Sequence, residues 1–370
     1  MSAITPIRMP KWGLSMQEGT IVHWWKEEGA QVAAGEDLVD IETTKITNVF
    51  QSPKAGTLRR IAARDGEVLP VGALIAVMAE SDVSADAIDA FVAEFQAKFV
   101  PGETAEEGEG LALSTVDAGP FQIRIGRAGT GDALPVLLVH GFSGDLNNWL
   151  FNIESLAAVR PVIAMDLPGH GASSKSVGDG SLATLADAVV ASANALGVDR
   201  FHLAGHSLGG AVSARITADA PARVASLTLI CPASLPGTKV SETFINGMVE
   251  ARRARDVKPL LEMLFADPAL VTKDMVEDML RFKRLDGADE ALAAIASQLL
   301  GPDDAARLAR DLGRIGSATV IASRGDRIVG TPDEAQLPAG FKMVWIDSAS
   351  HMPHLEMTAE VNAILTSLRD

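Results

Sequence analysis

The segment from Phe201 to Gly210 contains a serine whose setting could make it a nucleophile. It reads Phe-His-Leu-Ala-Gly-His-Ser-Leu-Gly-Gly, with glycine two residues before and two residues after Ser207. The apolar residues before the first glycine are typical of a buried strand, and the small residues after the serine are typical of a helix start. Glycine at both positions permits a turn too sharp for a side chain, which exposes the hydroxyl at the end of the strand. Close packing of a glycine-rich helix start against a strand is the alternative.

Strand-like and helix-like segments alternate on both sides of this serine. Continuous apolar runs occur at 135–139, 161–165, 224–230, 318–322 and 343–346, and helical patterns include 182–196 and 355–368. Such runs are typical of parallel strands buried on both faces, and their alternation with helices predicts a sheet covered on both sides. Residues 235 to about 300 interrupt this alternation with helical segments rich in Met and Leu. A plain helix core and a ligand pocket both fit that composition.

Four motifs together resemble the α/β-hydrolase family over roughly residues 118–370. They are His-Gly-Phe at 140–142, Asp-Leu-Pro-Gly-His-Gly at 166–171, Gly-His-Ser-Leu-Gly-Gly at 205–210 and Ser-His-Met-Pro at 350–353. The resemblance implies an α/β-hydrolase fold, with a mostly parallel sheet, helices on both faces and a helical lid at about 235–300.

The same resemblance implies a role for each residue of the site. The implied roles are Ser207 as nucleophile, His351 as base, Asp326 as the acid that orients the base, and the backbone amides of Phe142 and Leu208 as the oxyanion hole. Many relatives place a glycine earlier in the loop at 323–326, so Asp347 is kept as a second candidate for the acid. No metal is expected in such a site.

The first 80 residues contain an internal duplication. Gly19, Gly29 and Gly35 return at one constant offset as Gly56, Gly66 and Gly72. Short β-branched runs between these glycines predict strands, and two copies of a β unit suggest two related sheets. Between the copies, two strand-like runs flank Lys45, which predicts a lysine at an exposed hairpin tip. A surface lysine chosen at random would be a solvated turn residue paired with a carboxylate such as Glu42.

The turn and the duplicated glycines resemble lipoyl domains over roughly residues 1–80. The turn reads Glu-Thr-Thr-Lys at 42–45, and Ser-Pro-Lys-Ala-Gly follows at 52–56. The resemblance implies an all-β barrel sandwich with lipoate attached to Lys45 through an amide. Biotinyl domains share the barrel but carry Met-Lys-Met, whereas Thr44 and Ile46 flank the lysine here, which favours lipoate. A long arm on a rigid tip carries an acyl group between active sites at high effective concentration.

Residues 81–117 connect the two predicted domains. Apolar residues at helical spacing between Val83 and Phe99 predict an amphipathic helix that packs against another surface. Residues 101–110 are acidic and have almost nothing to bury, so they predict a flexible linker.

Composition restricts the partners and the compartment. A chain of 370 residues suits two domains, and its net charge of −16 argues against nucleic-acid or anionic-membrane partners. The single cysteine, Cys231, excludes an internal disulfide, suits a reducing compartment and is interpreted as an inert core thiol. The first residues lack the pattern of a signal peptide, and no segment is apolar enough to span a bilayer. A cytoplasmic protein is therefore expected.

A lipoyl domain joined directly to an α/β-hydrolase domain resembles the acyltransferase (E2) components of acetoin dehydrogenase complexes. The resemblance implies transfer of an acetyl group from the arm on Lys45 to coenzyme A through Ser207. The implied partners are a thiamine diphosphate-dependent E1, the dihydrolipoamide dehydrogenase E3, a lipoate ligase and further copies of the chain in a homo-oligomer. The alternatives are an esterase or thioesterase that uses water as the acceptor, and a pure carrier with an idle second domain. The His-x-x-x-Asp-Gly motif of ordinary E2 proteins does not occur.

Two basic runs could contact the phosphates of coenzyme A. They are Arg252, Arg253, Arg255 and Lys258, and Arg281, Lys283 and Arg284. Arg252 and Arg253 are the specific prediction, and solvated helix faces are the alternative.

Overall fold

The computed structural model describes residues 4–10, 17–33, 35–43, 47–52, 55–100 and 111–370. The chain divides into two compact units, Met1–Gly110 and Leu111–Asp370. Lys45 and the acidic segment 101–110 lie outside the described residues. The second unit begins before the predicted boundary at 118, because residues 112–118 form a strand of its sheet.

Two antiparallel sheets form the first unit within the ranges just given. The strands are β1 Thr5–Arg8, β2 Glu18–Trp24, β3 Gln31–Val32, β4 Asp37–Glu42, β5 Thr47–Gln51, β6 Gly56–Ile61, β7 Val68–Pro70 and β8 Leu74–Ala79. One sheet has the order β1-β8-β6-β3, and the other has the order β5-β4-β2-β7. Each sheet therefore contains strands from both copies of the duplication, which confirms the prediction of an all-β domain built from two related sheets.

The strands that flank Lys45 in sequence pair with each other. β4 and β5 are antiparallel, and the last pair before residues 43–46 is Glu42 with Thr47. Both residues of this pair are exposed. The described ends of β4 and β5 next to residues 44–46 are therefore accessible to solvent.

Helix α1, Ala85–Lys98, packs on the first unit. Its N-terminus is capped by Ser84, whose side chain accepts a hydrogen bond from the amide of Ala87 at 3.2 Å. Ile88 is buried in a cluster with Leu74 and Val77 of β8. The amphipathic helix predicted between the domains therefore covers one face of the β1-β8-β6-β3 sheet.

The second unit is built on an eight-stranded sheet, counted over residues 111–370. Its strands are β9 Ala112–Ala118, β10 Phe121–Ala128, β11 Val136–Val139, β12 Val162–Met165, β13 Phe201–His206, β14 Val224–Ile230, β15 Ala318–Ala322 and β16 Phe341–Trp345. The order is β16-β15-β14-β13-β11-β12-β10-β9. Neighbours from β16 to β12 are parallel, and β10 and β9 add an antiparallel edge. The mostly parallel sheet is confirmed.

Helices cover both faces of this sheet. The helices of the second unit, within residues 111–370, are α2 Leu150–Ala157, α3 Leu182–Ala195, α4 Leu208–Asp219, α5 Glu242–Glu250, α6 Ala254–Glu262, α7 Lys273–Lys283, α8 Ala288–Leu300, α9 Pro302–Asp311, α10 Pro353–Glu356 and α11 Thr358–Thr366. Alternate residues of β11 divide between two apolar clusters: Leu137 packs in one and Leu138 in the other. Helices α5 to α9 come between β14 and β15 in the sequence and are called the helical insertion below. Nowhere in the described part of the chain is a helix long and apolar enough to cross a membrane.

Candidate active site

Ser207 occupies a sharp turn between β13 and α4. Its φ is 55°, a value that strains a residue with a side chain. A Cβ atom added to Gly205 would lie 2.2 Å from the carbonyl oxygen of Gly209, and one added to Gly209 would lie 2.2 Å from that of Val139. Only glycine fits at either position, so the spacing seen in the sequence has a direct steric cause.

The two candidate oxyanion amides lie in segments beside Ser207. Leu208 is the first residue of α4, where an amide has no acceptor within the helix. The loop after β11 packs against the turn, since a Cβ atom on Gly141 would lie 3.0 Å from Cβ of Ser207. Phe142 follows directly and is buried. This arrangement supports both amides as donors to an oxyanion.

Asp326 and His351 form a buried hydrogen-bonded pair. Nδ1 of His351 lies 2.8 Å from Oδ2 of Asp326, and because a carboxylate only accepts, Nδ1 carries the proton. Oδ1 of Asp326 accepts hydrogen bonds from the amides of Ile328, at 2.8 Å, and Val329, at 3.1 Å. Burial alone would raise the pKa of Asp326, but His351 and these amides outweigh it and lower the pKa below its usual value. The protonated Nδ1 leaves Nε2 of His351 free to accept a proton.

Asp347, the second candidate for the acid, has a different partner. Its carboxylate forms an ion pair with the guanidinium of Arg324 and accepts a hydrogen bond from the amide of Arg324 at 3.2 Å. The side chain is 52% exposed. These contacts favour Asp326 as the partner of His351.

Two further histidines pack behind His351, and sequence reasoning missed their part in the site. Nε2 of His206 lies 2.8 Å from the carbonyl oxygen of His351, to which it donates, and the two rings are 4.7 Å apart. The ring of His354 lies 4.5 Å from that of His206. Burial lowers the pKa of His354 to about 3 and, together with His354 and His351, the pKa of His206 well below its usual value. Both rings are therefore neutral, and the hydrogen bond from His206 holds the backbone of His351 in place.

Cys231 lies next to the Asp326–His351 pair. Its sulfur lies within 4.8 Å of a carboxylate oxygen of Asp326 and a ring nitrogen of His351. Burial, together with the negative charge of Asp326, raises the pKa of the thiol well above its usual value. The thiol is therefore protonated and does not compete with Ser207 as a nucleophile.

The two basic runs differ in exposure. Arg252 is 55% exposed and pairs with Asp289 at 3.0 Å, and Arg253 is exposed at the start of α6. Lys283 of the second run is buried, and its ammonium donates to the carbonyl of Met248 at 2.7 Å and to Asp289 at 2.6 Å. Lys283 is therefore unavailable to a phosphate, whereas Arg252 and Arg253 remain accessible.

Comparison with known proteins identifies the class of this chain. The model of the α/β hydrolase fold family matches residues 135–357, and the biotin/lipoyl model, described as biotin-requiring enzyme, matches residues 5–78. A solved structure of a membrane phospholipase A is 28% identical, with a TM-score of 0.59 over 70% of this chain and 86% of that chain. A meta-cleavage product hydrolase from Pseudomonas fluorescens IP01 shares the fold at 19% identity, with a TM-score of 0.61 over 70% of this chain and 97% of that chain. The chain belongs to the α/β-hydrolase family and carries a lipoyl-type domain before the hydrolase fold.

Two curated relatives match nearly the whole chain. Both are dihydrolipoyllysine-residue acetyltransferase components of acetoin cleaving systems. The one from Pseudomonas putida is 43% identical over 362 residues, 98% of this chain and 97% of the relative. The one from Cupriavidus necator is 40% identical over 365 residues, 98% of this chain and 96% of the relative. The chain is a member of this family of acetyltransferase components.

Proposed function

We propose that this chain transfers an acetyl group from a lipoyl arm on Lys45 to coenzyme A, as the E2 component of an acetoin-cleaving complex. The observation that carries the proposal is the buried Asp326–His351 pair, whose histidine contacts His206 directly before Ser207, in a chain that also has a lipoyl-type domain. Lys45 would hold the lipoyl group, which supplies the acetyl group as a thioester. The exposed Glu42–Thr47 pair, the last described pair of β4 and β5 before Lys45 in sequence, fits such an attachment.

Each candidate residue has a defined part in the transfer. His351 removes the proton of Ser207 with Nε2, and Oγ of Ser207 attacks the carbonyl carbon of the thioester substrate. The amides of Phe142 and Leu208 donate hydrogen bonds to the developing oxyanion. His351 returns the proton to the departing thiol, which leaves the acetyl group on Ser207.

The second half of the reaction reverses these roles. His351 takes the proton of the thiol of coenzyme A, whose sulfur attacks the acetyl ester. The ester bond to Ser207 breaks, His351 reprotonates Oγ, and acetyl-coenzyme A is released. Asp326 stabilises the charged imidazole in both halves.

The proposal extends to the surroundings of the chain. An E2 component works in a complex with other components, here the thiamine diphosphate-dependent E1 and the dihydrolipoamide dehydrogenase E3. A lipoate ligase would load Lys45, and the chain would act as a homo-oligomer in the cytoplasm.

The proposal predicts one modification and one main product. Protein made in cells that supply lipoate is expected to gain the mass of a single lipoyl group, measured by intact-mass analysis. When this arm is acetylated and coenzyme A is added, acetyl-coenzyme A is expected to exceed free acetate. Acetate as the main product at saturating coenzyme A would favour an esterase or thioesterase instead. Biotin on Lys45 would contradict the carrier role.

The exposed arginines give a second prediction. Replacing Arg252 and Arg253 together by Ala is expected to raise the KM for coenzyme A about tenfold, the effect of losing about 1.4 kcal/mol of phosphate binding. Steady-state kinetics at varied coenzyme A measure this change, and cleavage of a small ester should stay constant. Arg314→Ala is the matched control, because Arg314 is also 55% exposed, pairs with Asp219 at 3.7 Å and belongs to neither basic run. An unchanged KM removes Arg252 and Arg253 from the site.

A further inference from the structure

One turn of the helical insertion is hydrogen-bonded to both loops that carry the Asp326–His351 pair. This turn, residues 262–266, begins at the last residue of α6 and is called the insertion turn. On the Asp326 side, the next residue, Arg327, extends its guanidinium to the turn. Nη2 of Arg327 donates to the carbonyl of Glu262 at 2.8 Å and to the carbonyl of Phe265. The loop of the acid is thereby fixed to the insertion.

The loop of the base is fixed to the same turn at two points. The amide of His351 donates to the carbonyl of Leu264 at 3.0 Å. The carboxylate of Glu356 bridges the two segments: Oε1 accepts from the amide of Ala266 at 2.6 Å, and Oε2 accepts from the amide of Ser350 at 2.8 Å. Glu356 therefore holds the residue directly before His351 against the insertion turn.

The insertion turn is itself firmly anchored. Phe265 is buried in the larger apolar cluster of the second unit, and Met263 and Leu264 pack against that cluster. The two loops also touch directly, since Oγ of Ser350 donates to the carbonyl of Gly325 at 3.0 Å. The loops after β15 and β16 are thus held together by their direct contact and, in addition, by the insertion turn. The insertion turn lies outside the sheet and fixes the distance between the two loops.

We propose that Arg327 and Glu356 are positioning residues. They keep Asp326 and His351 at the right distance and orientation by fixing both loops to the insertion turn. This inference rests on the proposed acyl transfer through Ser207. Proton transfer through His351 requires its ring to be placed within a fraction of an ångström, and a misplacement of about 1 Å costs on the order of 100-fold in rate. The backbone of the helical insertion thus sets the geometry of the acid and the base.

The test compares variants that each remove or keep one property of the side chain, such as its hydrogen-bond donors, its charge or its acceptor oxygens. Arg327→Met keeps most of the stem but removes the donors, and Arg327→Lys keeps a charged donor. Glu356→Gln keeps one acceptor oxygen but places an amide nitrogen opposite a backbone N–H. The matched controls are Arg314→Met, an exposed arginine before β15 that lies in neither loop, and Glu360→Gln, an exposed glutamate in the first turn of α11.

Pre-steady-state cleavage of an activated ester separates positioning from folding. For Arg327→Met and Glu356→Gln, we expect the burst rate to fall about 10- to 100-fold, with the burst amplitude and the KM nearly unchanged. Arg327→Lys should recover most of the rate, and both controls should match the wild type. A loss of amplitude without a loss of rate would mean that the residues only stabilise the fold, and would overturn the proposal.

The same assay distinguishes this inference from the proposed function. If Arg327→Met and Glu356→Gln match the controls while Ser207→Ala is inactive, the positioning role is wrong and acyl transfer through Ser207 stands. If Ser207→Ala retains the burst, the proposed function itself fails.

Discussion

Replacing Ser207 by Ala is expected to abolish both acetyl transfer to coenzyme A and cleavage of a small activated ester. The variant lacks the oxygen that would carry the acyl group, while the Asp326–His351 pair remains. Removing the nucleophile of such a site typically lowers kcat by about 10⁴- to 10⁶-fold. Acetyl transfer can be followed by separating and quantifying acetyl-coenzyme A, because thioester exchange leaves the total number of thiols unchanged, and ester cleavage can be followed as release of a chromogenic alcohol.

The control for this prediction is another serine of the same helix. Ser213 lies on α4 and is completely buried, so Ser213→Ala changes a hydroxyl near the turn without removing the proposed nucleophile. We expect Ser213→Ala to retain activity. Transfer to coenzyme A at the wild-type rate by Ser207→Ala would mean that the thiol attacks the thioester directly, and would exclude an acyl-serine intermediate.

Replacing Lys45 by Arg should separate the two activities. Arginine keeps the positive charge but cannot form the amide to lipoate, so acetyl-coenzyme A formation from the protein's own arm should disappear. Ester cleavage should continue, because the candidate residues for that reaction all lie in the second unit. Free acetyl-dihydrolipoamide at high concentration should partly restore transfer, since the variant has lost effective concentration rather than chemistry.

A neighbouring lysine provides the control for Lys45. Lys54→Arg alters a lysine in the same domain outside the Glu-Thr-Thr-Lys turn and should leave both the lipoyl mass and transfer intact. Retention of a lipoyl group by Lys45→Arg would place the attachment elsewhere. Loss of ester cleavage in Lys45→Arg would show that the arm contributes to the chemistry itself.

The sequence was most informative where function depends on local backbone geometry. Gly205 and Gly209 could be interpreted without a structure, because their spacing answers a steric demand within one turn of chain. The buried parallel strands could also be predicted from the sequence, because burial on both faces requires an uninterrupted apolar run such as Val136–Val139. The edge strand β9 was missed because most of its residues are exposed, so it lacks that signal.

Contacts between distant segments could not be inferred from spacing. Glu356 accepts hydrogen bonds from the amides of Ser350 and Ala266, and Ala266 is 90 positions away from Glu356. Nothing in the local sequence of α10 indicates that partner. The hydrogen bond from His206 to the carbonyl of His351 spans 145 positions. Lys283 looked like part of an exposed basic run, but tertiary packing buries it against the end of α5. Such roles depend on how the insertion folds back onto the sheet.

The interleaved sheets of the first unit have a consequence for biosynthesis. Strand β8, the last to be made, lies between β1 and β6, so the β1-β8-β6-β3 sheet cannot close before Ala79 has left the ribosome. Until then the chain can form only the pairings that do not involve β8, which are those of the β5-β4-β2-β7 sheet and the β3–β6 pair. The β1-β8-β6-β3 sheet is therefore the last to be completed, whereas the β4–β5 pair that flanks the proposed attachment site in sequence can form before the final strand is made.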